Sequence, residues 1–549
     1  MEWTFEDLQE WDDKIVKLAK KYNLDWYPID YEVCDYHDMI GYMSYIGMPT
    51  HYQHWSYGKS FERTHTMYNL GMEGLPYEMI INSDPSISYL MTENPLPLQV
   101  LIMAHCVGHS DFFKNNRMFR HTDAANVISR FRNAAKRIKK YVDNTHIGVE
   151  AVEKIIDAVR GEGDESIRLL TKKFDGVDLN SKDFKLSKKE ISNSSKSVSN
   201  EVKNAINLSY DNVNQFALGS MRKDWEMRNA QGAIIGESFQ PFNSVGIYVP
   251  GGTAPLVSTS LMTVAIAKAV NVPNITVCTP PDRSGLVCPE LIYALNRCGA
   301  TSIYRIGGAQ AIAAMSIGTK TIKKVDKIFG PGNSFVVEAK RQLFGDVSVD
   351  LLPGPSEVFV LSDSSGNAKW IASDLLAQAE HGGDSNVAFV TTSSKVLEAV
   401  KLELKIQSKV LSRQKQVKEV LKNGTTLVLV KSINEGVRLA NEFAPEHLSL
   451  VVKNPKKIIP KLTTSGAIFI GPYSAVAIGD FLAGPSHTLP TGGAGKSFSG
   501  LTADMFQRRT SIVDVGRNAL KKSANAVRIF AEIEGLDAHG KSVSIRNSD

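Results

Sequence analysis

Between residues 243 and 474, eight short apolar segments alternate with longer segments that carry helical patterns. The apolar segments are NSVGIYVPGG, NITVCTPP, SIYRIGG, EVFVLSD, NVAFVTTS, TTLVLVK, LSLVVK and AIFIGPYS. Strands that are separated by helices of this length pair in parallel, and the helices cover both faces of the sheet. Because eight strands are more than one sheet usually has, we expect two Rossmann-like α/β domains.

The first 146 residues differ in composition from the rest of the chain. They hold eight of the 12 histidines and a dense tract of Tyr and Trp, whereas the later region is rich in Gly, Ala, Val and Ile. Apolar residues recur at helical spacing over residues 3–22, and LPLQVLIMAHCVGHSDFF and DAANVISRFRNAAKRIKKYVDN also have helical patterns. We therefore expect a mainly helical N-terminal unit of separate origin, with an irregular aromatic tract after its first helix.

The overall composition excludes several classes of protein. A chain of 549 residues is too long for one core, and a net charge of +5 is too mild to indicate nucleic-acid binding. The acidic N-terminus does not resemble a signal peptide, and no segment is long and apolar enough to span a membrane. The five cysteines form no CxxC pair, which favours free thiols in a reducing cytoplasm.

The segment DLLAQAEHG places Gln378 and His381 on one face at the end of a helix. An amide oxygen and an imidazole nitrogen are both zinc ligands, although a histidine that caps the helix is the simpler explanation for this segment alone. The other late histidines also lie near carboxylates and element ends, in the pairs Glu446–His447, Asp480–His487 and Glu534–His539. Together these residues predict a site with metal ligands and a general base.

Three glycine-rich turns, YVPGGTAP, RIGGAQAI and FGPGNSF, follow strands or begin helices. Such turns suit phosphate or ribose contacts of a dinucleotide, although tight turning explains any one of them. In the first unit, MAHCVGH places His105 and His109 one helical turn apart, which is half of a helical zinc site. Cys106 stands where the HExxH motif has glutamate, so metalloprotease chemistry is not supported, and we expect buried histidines packed among aromatic residues.

Eight motifs follow one another in the later region: YVPGGTAPLVSTSLM, GGAQAIAA, VDKIFGPGNSFVVEAKRQ, DLLPGPSEV, DLLAQAEHG, APEHL, GDFLAGPSHTLPTGG and EGLDAH. In this order they resemble the histidinol dehydrogenase family, from about residue 155 to the end. The resemblance implies an NAD-dependent enzyme with one zinc ion per subunit that oxidises L-histidinol through L-histidinal to L-histidine, in the last steps of histidine biosynthesis. It also implies a cytoplasmic homodimer in which the C-terminal tail completes the site of the partner.

The resemblance assigns roles to individual residues. It implies zinc ligands at Gln378, His381, Asp480 and His539, and an acid–base pair at Glu446 and His447. Further substrate contacts fall on Ser356, His487 and Glu534, and cofactor contacts fall on Tyr248, Gln310 and Asn333. Ser486 departs from the family, which usually has Asn before the histidine of the HTLPT loop; this change leaves open a related dehydrogenase that acts on another small alcohol.

Three stretches of the first unit resemble the SpoVR family: CDYHDMIGYMSYIGMPTHYQHWSYGKSFERT, GLPYEMIINSDPSISYLM and MAHCVGHSDFFKNNRMF. The resemblance covers residues 1 to about 155, which is about a third of such proteins, and it implies no mechanism. A gene fusion or a recombinant gene model accounts for the two resemblances, with a truncated passenger on a nearly complete enzyme. An interaction protein of SpoVR type with an inactive enzyme half is the alternative.

These observations predict a division of the chain. A SpoVR-like fragment spans 1–155, a first α/β domain combines 156–246 with 357–500, and a second α/β domain on the NAD side spans 247–356. A helical dimerisation tail follows over 501–549. The segment GVEAVEKIIDAVRGEGDES fits both resemblances, so the sequence leaves the seam between them open.

Overall fold

The computed structural model describes residues 3–45, 55–70, 74–119, 122–142, 148–251, 255–382 and 385–548, with the backbone alone at 55–59, 136–142 and 548. The chain divides into two compact units, Met1–Ala151 and Val152–Asp549. No helix in these ranges is long and apolar enough to cross a membrane.

The first unit is mainly helical, as predicted. Its helices are α1 (Phe5–Lys21), α2 (Tyr36–Ser44), α3 (Trp55–Asn69), α4 (Leu96–Asn115) and α5 (Val127–Val142), and α6 (Val149–Glu162) runs from this unit into the next. Its strands are β1 (Ile29–Cys34), β2 (Glu78–Ile81) and β3 (Ser86–Met91).

The three strands of the first unit form one sheet in the order β1-β3-β2, with β1 parallel and β2 antiparallel to β3. One hydrophobic cluster combines residues of α1 and α4 with the sheet, and another combines residues of α2 with the sheet. This sheet was not predicted. Ile29, Tyr31 and Val33 alternate as a half-buried strand does, but they lie inside an aromatic tract that masks the period.

The second unit holds the remaining helices. They are α7 (Asp164–Asp175), α8 (Lys188–Ser197), α9 (Asn200–Ser220), α10 (Val257–Ala269), α11 (Pro289–Arg297), α12 (Gly308–Ile317), α13 (Ser334–Gln342), α14 (Ala368–Ala379), α15 (Ser394–Gln407), α16 (Gln414–Asn423), α17 (Ile433–Phe443), α18 (Val476–Phe481), α19 (Arg517–Glu534) and α20 (Asp537–Ser548).

The strands of the second unit form three sheets. The strands are β4 (Trp225–Arg228), β5 (Ile234–Pro241), β6 (Ser244–Tyr248), β7 (Asn274–Thr279), β8 (Ser302–Arg305), β9 (Lys327–Phe329), β10 (Ser348–Val349), β11 (Glu357–Ser362), β12 (Asn386–Thr391), β13 (Thr425–Leu429), β14 (His447–Val451), β15 (Ala467–Ile470) and β16 (Gln507–Asp514).

Two of these sheets are parallel and have five strands each. The first has the order β10-β9-β6-β7-β8 and the second the order β13-β12-β11-β14-β15. All eight predicted strands occur, and they are divided between two sheets as expected. The sequence did not predict β9 and β10, which are only three and two residues long.

The segment before the first parallel sheet packs differently from the predicted division. Helix α8 lies against α11, and α9 lies against α10. Buried residues of α9 share a hydrophobic cluster with the first sheet, and the partly buried Ile191 of α8 packs against that cluster. The sequence predicted that 156–246 form one domain with the second sheet. The predicted helical tail over 501–549 also contains a strand, because β16 pairs antiparallel with β5 before α19 starts.

Helix α6 buries its apolar residues in the second unit. Its Val152, Ile155, Ile156 and Val159 are buried in the cluster that also holds Ile312 of α12. The boundary between the two family resemblances, which the sequence left open near residue 155, therefore lies inside α6. The second unit covers the apolar face of this helix.

A fragment that starts at Gly148 should be more stable than one that starts at Asp157. The shorter fragment lacks Val152, Ile155 and Ile156, and each buried aliphatic side chain contributes roughly 1.5–3 kcal/mol. Calorimetry of the two fragments measures the difference as a lower unfolding midpoint. The longer fragment with Lys154→Ala, an exposed change on the same helix, is the control. Equal midpoints for the two fragments would show that α6 does not stabilise this unit.

Candidate active site

Three predicted site residues and one sequence neighbour meet at the amino ends of two adjacent strands. Strands β11 and β14 are parallel neighbours, with Val358 opposite His447. Ser356 and Glu357 at the start of β11 therefore lie beside Glu446 and His447 at the start of β14. Helix α14 leads from β11 to β12, so its carboxyl end returns to the same edge of the sheet.

His447 is buried and contacts three groups. Its Nδ1 lies 3.2 Å from the carbonyl oxygen of Glu357 and 3.6 Å from Oε2 of Glu446, and its Nε2 lies 3.4 Å from Oδ1 of Asp480. A carbonyl oxygen only accepts hydrogen bonds. In the neutral ring, Nδ1 therefore carries the proton and donates a hydrogen bond to the carbonyl oxygen of Glu357. Nε2 is therefore the atom that gains and loses a proton, and when it carries one it faces Oδ1 of Asp480 as a donor.

The surroundings shift the pKa values of these groups. Burial lowers the pKa of His447, but the hydrogen bond to Asp480 and the charges of Glu446 and Asp480 outweigh it, so that this pKa lies above its usual value. Burial raises the pKa of Glu446 to about 7. Burial alone would raise the pKa of Asp480, but the contact with His447 holds it below its usual value. Glu446 can thus both take and give a proton near neutral pH.

The loop from Asp480 to Thr491 links the second sheet to the helices of the first. His487 donates through Nδ1 to the carbonyl of Asp480 at 2.9 Å, and its Nε2 lies 3.3 Å from Oγ1 of Thr259 in α10. Ser486 is buried; its hydroxyl donates to the carbonyl of Met262 at 2.9 Å and accepts from the amide of Thr488 at 3.2 Å. The Ser486 hydroxyl is therefore committed to the protein.

Gln378 and His381 lie at the end of α14, as the sequence predicted. Gln378 is buried, and its Nε2 has no hydrogen-bond partner among the described residues. His381 is exposed. Desolvation lowers the pKa of His381, and the charge of the Asp480 carboxylate opposes this effect. A buried amide without a partner for its nitrogen is free to turn its oxygen towards a cation.

The three predicted cofactor residues lie at or after the carboxyl ends of strands of the first sheet. Tyr248 ends β6, and its hydroxyl accepts a hydrogen bond from the amide of Gly308 at 3.1 Å. Gln310 is buried in the first turn of α12, which follows β8, and Asn333 caps the start of α13, which follows β9. All three therefore lie at the carboxyl edge of the sheet, where open α/β sheets bind ligands. Gly252–Ala254, in the YVPGGTAP turn, lie outside the described residues.

A buried ion pair fixes the turn at Gly330, between Tyr248 and Asn333. Lys340 pairs with Asp350, and both side chains are fully buried. Lys340 also donates to the carbonyl of Gly330, and Asp350 accepts from its amide at 2.8 Å. Gly330 has φ +108°, and a Cβ there would lie 2.1 Å from the carbonyl oxygen of Tyr248, so only glycine fits.

A cavity of about 430 Å³ lies against His447 and His487. Residues of β15 and α18, mostly apolar, form much of its wall. Ile470, Tyr473, Ile478 and Phe481, which line it or lie beside it, have exposed side chains.

The single chain does not complete the predicted site. Glu534 and His539 are exposed at the junction of α19 and α20, and no hydrogen bond or ion pair in the described ranges joins their side chains to the other site residues. Only around Glu78, in the first unit, do three His, Cys, Asp or Glu residues within those ranges bring ligand atoms within 4.8 Å of one another. His51, His54, His121 and His146 lie outside the described residues.

Two family models match this chain. The model of the histidinol dehydrogenase family matches residues 138–547, and the model described as SpoVR-like protein matches residues 2–226. The chain belongs to the histidinol dehydrogenase family. It is an enzyme, an oxidoreductase with a role in histidine biosynthesis, and it carries a SpoVR-like region at its N-terminus.

Individual relatives cover the same part of the chain. The histidinol dehydrogenase of Heliobacterium mobile is 38% identical over 74% of this chain and 95% of its own length. That of Bacillus cereus strain ATCC 10987 is 39% identical over 76% of this chain and 98% of its own. The crystal structure of the Elizabethkingia anophelis histidinol dehydrogenase covers 72% of this chain and 91% of its own, at 36% identity and a TM-score of 0.71.

Two residues at the site of this histidinol dehydrogenase family member were missed by the sequence reasoning. Glu357 is buried; its amide donates to Oε2 of Glu446 at 2.9 Å, and its own Oε2 has no partner among the described residues. Thr259 contacts His487. A glutamate at the start of the otherwise apolar strand EVFVLS was a usable signal, whereas nothing marked Thr259 among the hydroxyl residues of VSTS.

We predict that Ser486→Ala destabilises the enzyme but leaves its substrate preference unchanged. The variant loses the partner of the buried Thr488 amide, which costs about 1–3 kcal/mol. Denaturant unfolding and the ratio of kcat/KM for L-histidinol and other small alcohols measure the two effects. Ser364→Ala, at an exposed turn serine, is the control. A changed preference with unchanged stability would mean that Ser486 contacts the substrate.

Proposed function

We propose that this protein oxidises L-histidinol to L-histidine through L-histidinal, with one zinc ion per subunit and two molecules of NAD consumed in succession. The observation that carries the proposal is the buried His447, whose basic Nε2 faces Asp480 and whose Nδ1 is held by Glu357. A histidine held in one tautomer beside a cavity is suited to act as a general base.

The donor set fits zinc. Gln378 and Asp480 offer oxygen, His381 and His539 offer nitrogen, and zinc accepts both kinds of ligand. The Gln378 amide has no competing partner for its nitrogen, so its rotation towards a cation breaks no hydrogen bond of that atom. When bound, zinc supplies a positive charge that holds and orients the substrate.

The carboxyl edge of the first sheet fits NAD. The hydroxyl of Tyr248 accepts from Gly308, which leaves its own proton free to donate. The turns at Gly307–Gly308 and Gly330–Gly332 have no room for larger residues, and such glycine turns let the backbone approach a dinucleotide closely. Bound NAD supplies the hydride acceptor, and Gln310 and Asn333 stand at the same edge to position it.

Two proton transfers accompany the two hydride transfers. In the first half, Nε2 of His447 takes the hydroxyl proton of L-histidinol, and bound NAD would accept the hydride from the carbinol carbon. In the second half, Glu446 takes a proton from the water that adds to the carbonyl of L-histidinal, which leaves the oxyanion of the hydrate. A second NAD would accept the hydride of this oxyanion, and the resulting carboxylic acid loses its remaining proton to solvent as L-histidine. The pKa of Glu446, about 7, suits this exchange at neutral pH.

Exposed apolar surfaces support a homodimer with shared sites. The cavity rim exposes Ile470, Tyr473 and Ile478, and the tail exposes Phe530 and Ile533 beside Glu534. Exposed apolar side chains grouped in this way are typical of surfaces that another chain covers. We therefore propose that Glu534 and His539 complete the site of the partner subunit. Five free cysteines are consistent with the cytoplasmic location that we propose.

His447→Asn should lower kcat for L-histidinol by about 10²–10⁴-fold, because Asn offers no basic nitrogen. NADH absorbance measures the reaction, and Glu446→Gln should chiefly slow the second half, so that L-histidinal accumulates. Chelation should abolish activity, and Zn²⁺ should restore it. Asp480→Asn should bind one zinc ion fewer per chain than the parent.

Glu380→Gln is the matched control for Glu446→Gln, because Glu380 lies beside His381 without a place in the proposed chemistry. The proposal fails if L-histidinol yields no NADH while another small alcohol does, which would indicate a related dehydrogenase. It also fails if Asp480→Asn and the parent bind equal amounts of zinc and neither turns over any alcohol, which would indicate an inactive enzyme half.

Co-expression of two inactive variants tests the shared site. His447→Asn and His539→Ala should each be inactive alone, but a mixed dimer has one site with an intact His447 and an intact His539 of the other chain. Random mixing in a twofold dimer should restore about a quarter of the parent activity. Two copies of His447→Asn carrying different tags are the control. An active His539→Ala protein would contradict the role of the tail.

A further inference from the structure

Two elements of the first unit place three metal-binding side chains around one point. His105 and His109 lie one turn apart on α4, and Glu78 begins β2. Oε1 of Glu78 lies 3.2 Å from Nε2 of His105 and 3.8 Å from Nε2 of His109, and one ligand atom from each of the three residues lies within 4.8 Å of the other two. The prediction that these histidines are buried is wrong, because their side chains are 62% and 41% exposed.

These separations match those around a metal ion. Ligands that bind tetrahedral zinc at their usual distances lie about 3.4 Å apart, which is close to both distances from Glu78. Hydrogen bonding alone does not explain the cluster, because 3.8 Å is too long for a bond between His109 and the carboxylate. One carboxylate oxygen thus faces two imidazole nitrogens.

Buried neighbours hold the carboxylate in this position. Cys106 is buried on α4 and donates through Sγ to Oε2 of Glu78 at 3.4 Å, while the same Sγ lies 3.1 Å from Oγ of Ser88 in β3. The second oxygen of Glu78 is therefore anchored, and the first is turned towards the histidines. Such anchoring of a ligand by an outer group is typical of metal sites. Cys106, which replaces the glutamate of an HExxH motif, thus holds a carboxylate that a neighbouring strand provides.

We propose that Glu78, His105 and His109 bind a divalent first-row transition-metal ion. Two imidazoles with one carboxylate favour such ions over Mg²⁺ and Ca²⁺, which prefer oxygen ligands alone. The side chain of Glu78 is only 18% exposed, whereas both rings face solvent, so at least one coordination position is open to water. This site is separate from the proposed dehydrogenase zinc site and does not depend on that function.

A cobalt titration of the full chain tests the site. Asp480→Asn serves as the parent, so that the proposed dehydrogenase zinc site does not contribute. After chelator treatment and dialysis, Co²⁺ is added, and its visible absorption and binding heat are recorded. We expect one bound ion per chain, and we expect His109→Ala or Glu78→Gln in this parent to weaken binding by about 10–100-fold or more.

His37→Ala is the matched control, since His37 is an exposed histidine of the same unit. It should bind Co²⁺ like the parent, and excess Mg²⁺ should not displace the cobalt. Glu78→Gln preserves the shape of the side chain, so it gives the result if His109→Ala does not fold, as circular dichroism would show. The proposal is overturned if the parent binds no Co²⁺, if both variants bind it like the parent, or if Mg²⁺ displaces it.

Discussion

The hydrogen bonds of the loop from Asp480 to Thr491 join the two halves of the candidate site. On the side of the first sheet, Ser486 bonds the backbone of α10, and Ser209 and Asn212 of α9 donate to the carbonyls of Phe481 and Leu482. On the side of the second sheet, Thr491 accepts from the amide of Gly354, just before β11. These bonds thus tie helices that pack on the first sheet to the amino edge of the second, and the cavity beside His447 and His487 is lined by β15, α18 and this loop. Without this loop, His447 would lose Asp480, and neither sheet alone holds both the proposed base and the proposed cofactor residues.

Glu446, His447 and Asp480 are ionisable groups at this junction, and the charged form of each is stabilised by its contacts with the others. Burial disfavours the ionised forms of Glu446 and Asp480, and contact with His447 favours them. Because Asp480 is closer to the basic nitrogen, it keeps its charge, whereas Glu446 titrates near neutrality. The same enclosure leaves an amide nitrogen of Gln378 and an oxygen of Glu357 without partners among the described residues. Buried polar groups without partners are costly, so a ligand or water that bonds these two atoms would be stabilised there.

Much of this architecture could be predicted from the sequence, for local reasons. The eight strands were recognisable because fully buried parallel strands are apolar throughout, as in VAFV and VFVL. Glu446 and His447 are adjacent in the sequence, so their pairing needed no fold. The contact between His447 and Asp480 depends on a loop that crosses between sheets, and no spacing indicates it. The same holds for β1–β3, where an alternating pattern is hidden among aromatic residues, and for Glu78, which meets His105 and His109 only because β2 lies beside α4.

The two family matches overlap over 138–226, a range that includes α6. An amphipathic helix has one apolar face, and that face can fill only one core. Here Val152, Ile155, Ile156 and Val159 fill the core of the dehydrogenase unit. The SpoVR-like unit must therefore form its own clusters without this helix, and they do combine residues between Trp3 and Ile128 only. Helix α6 lies within both family matches, and its buried contacts assign it to the dehydrogenase unit, so the structural seam precedes Val152.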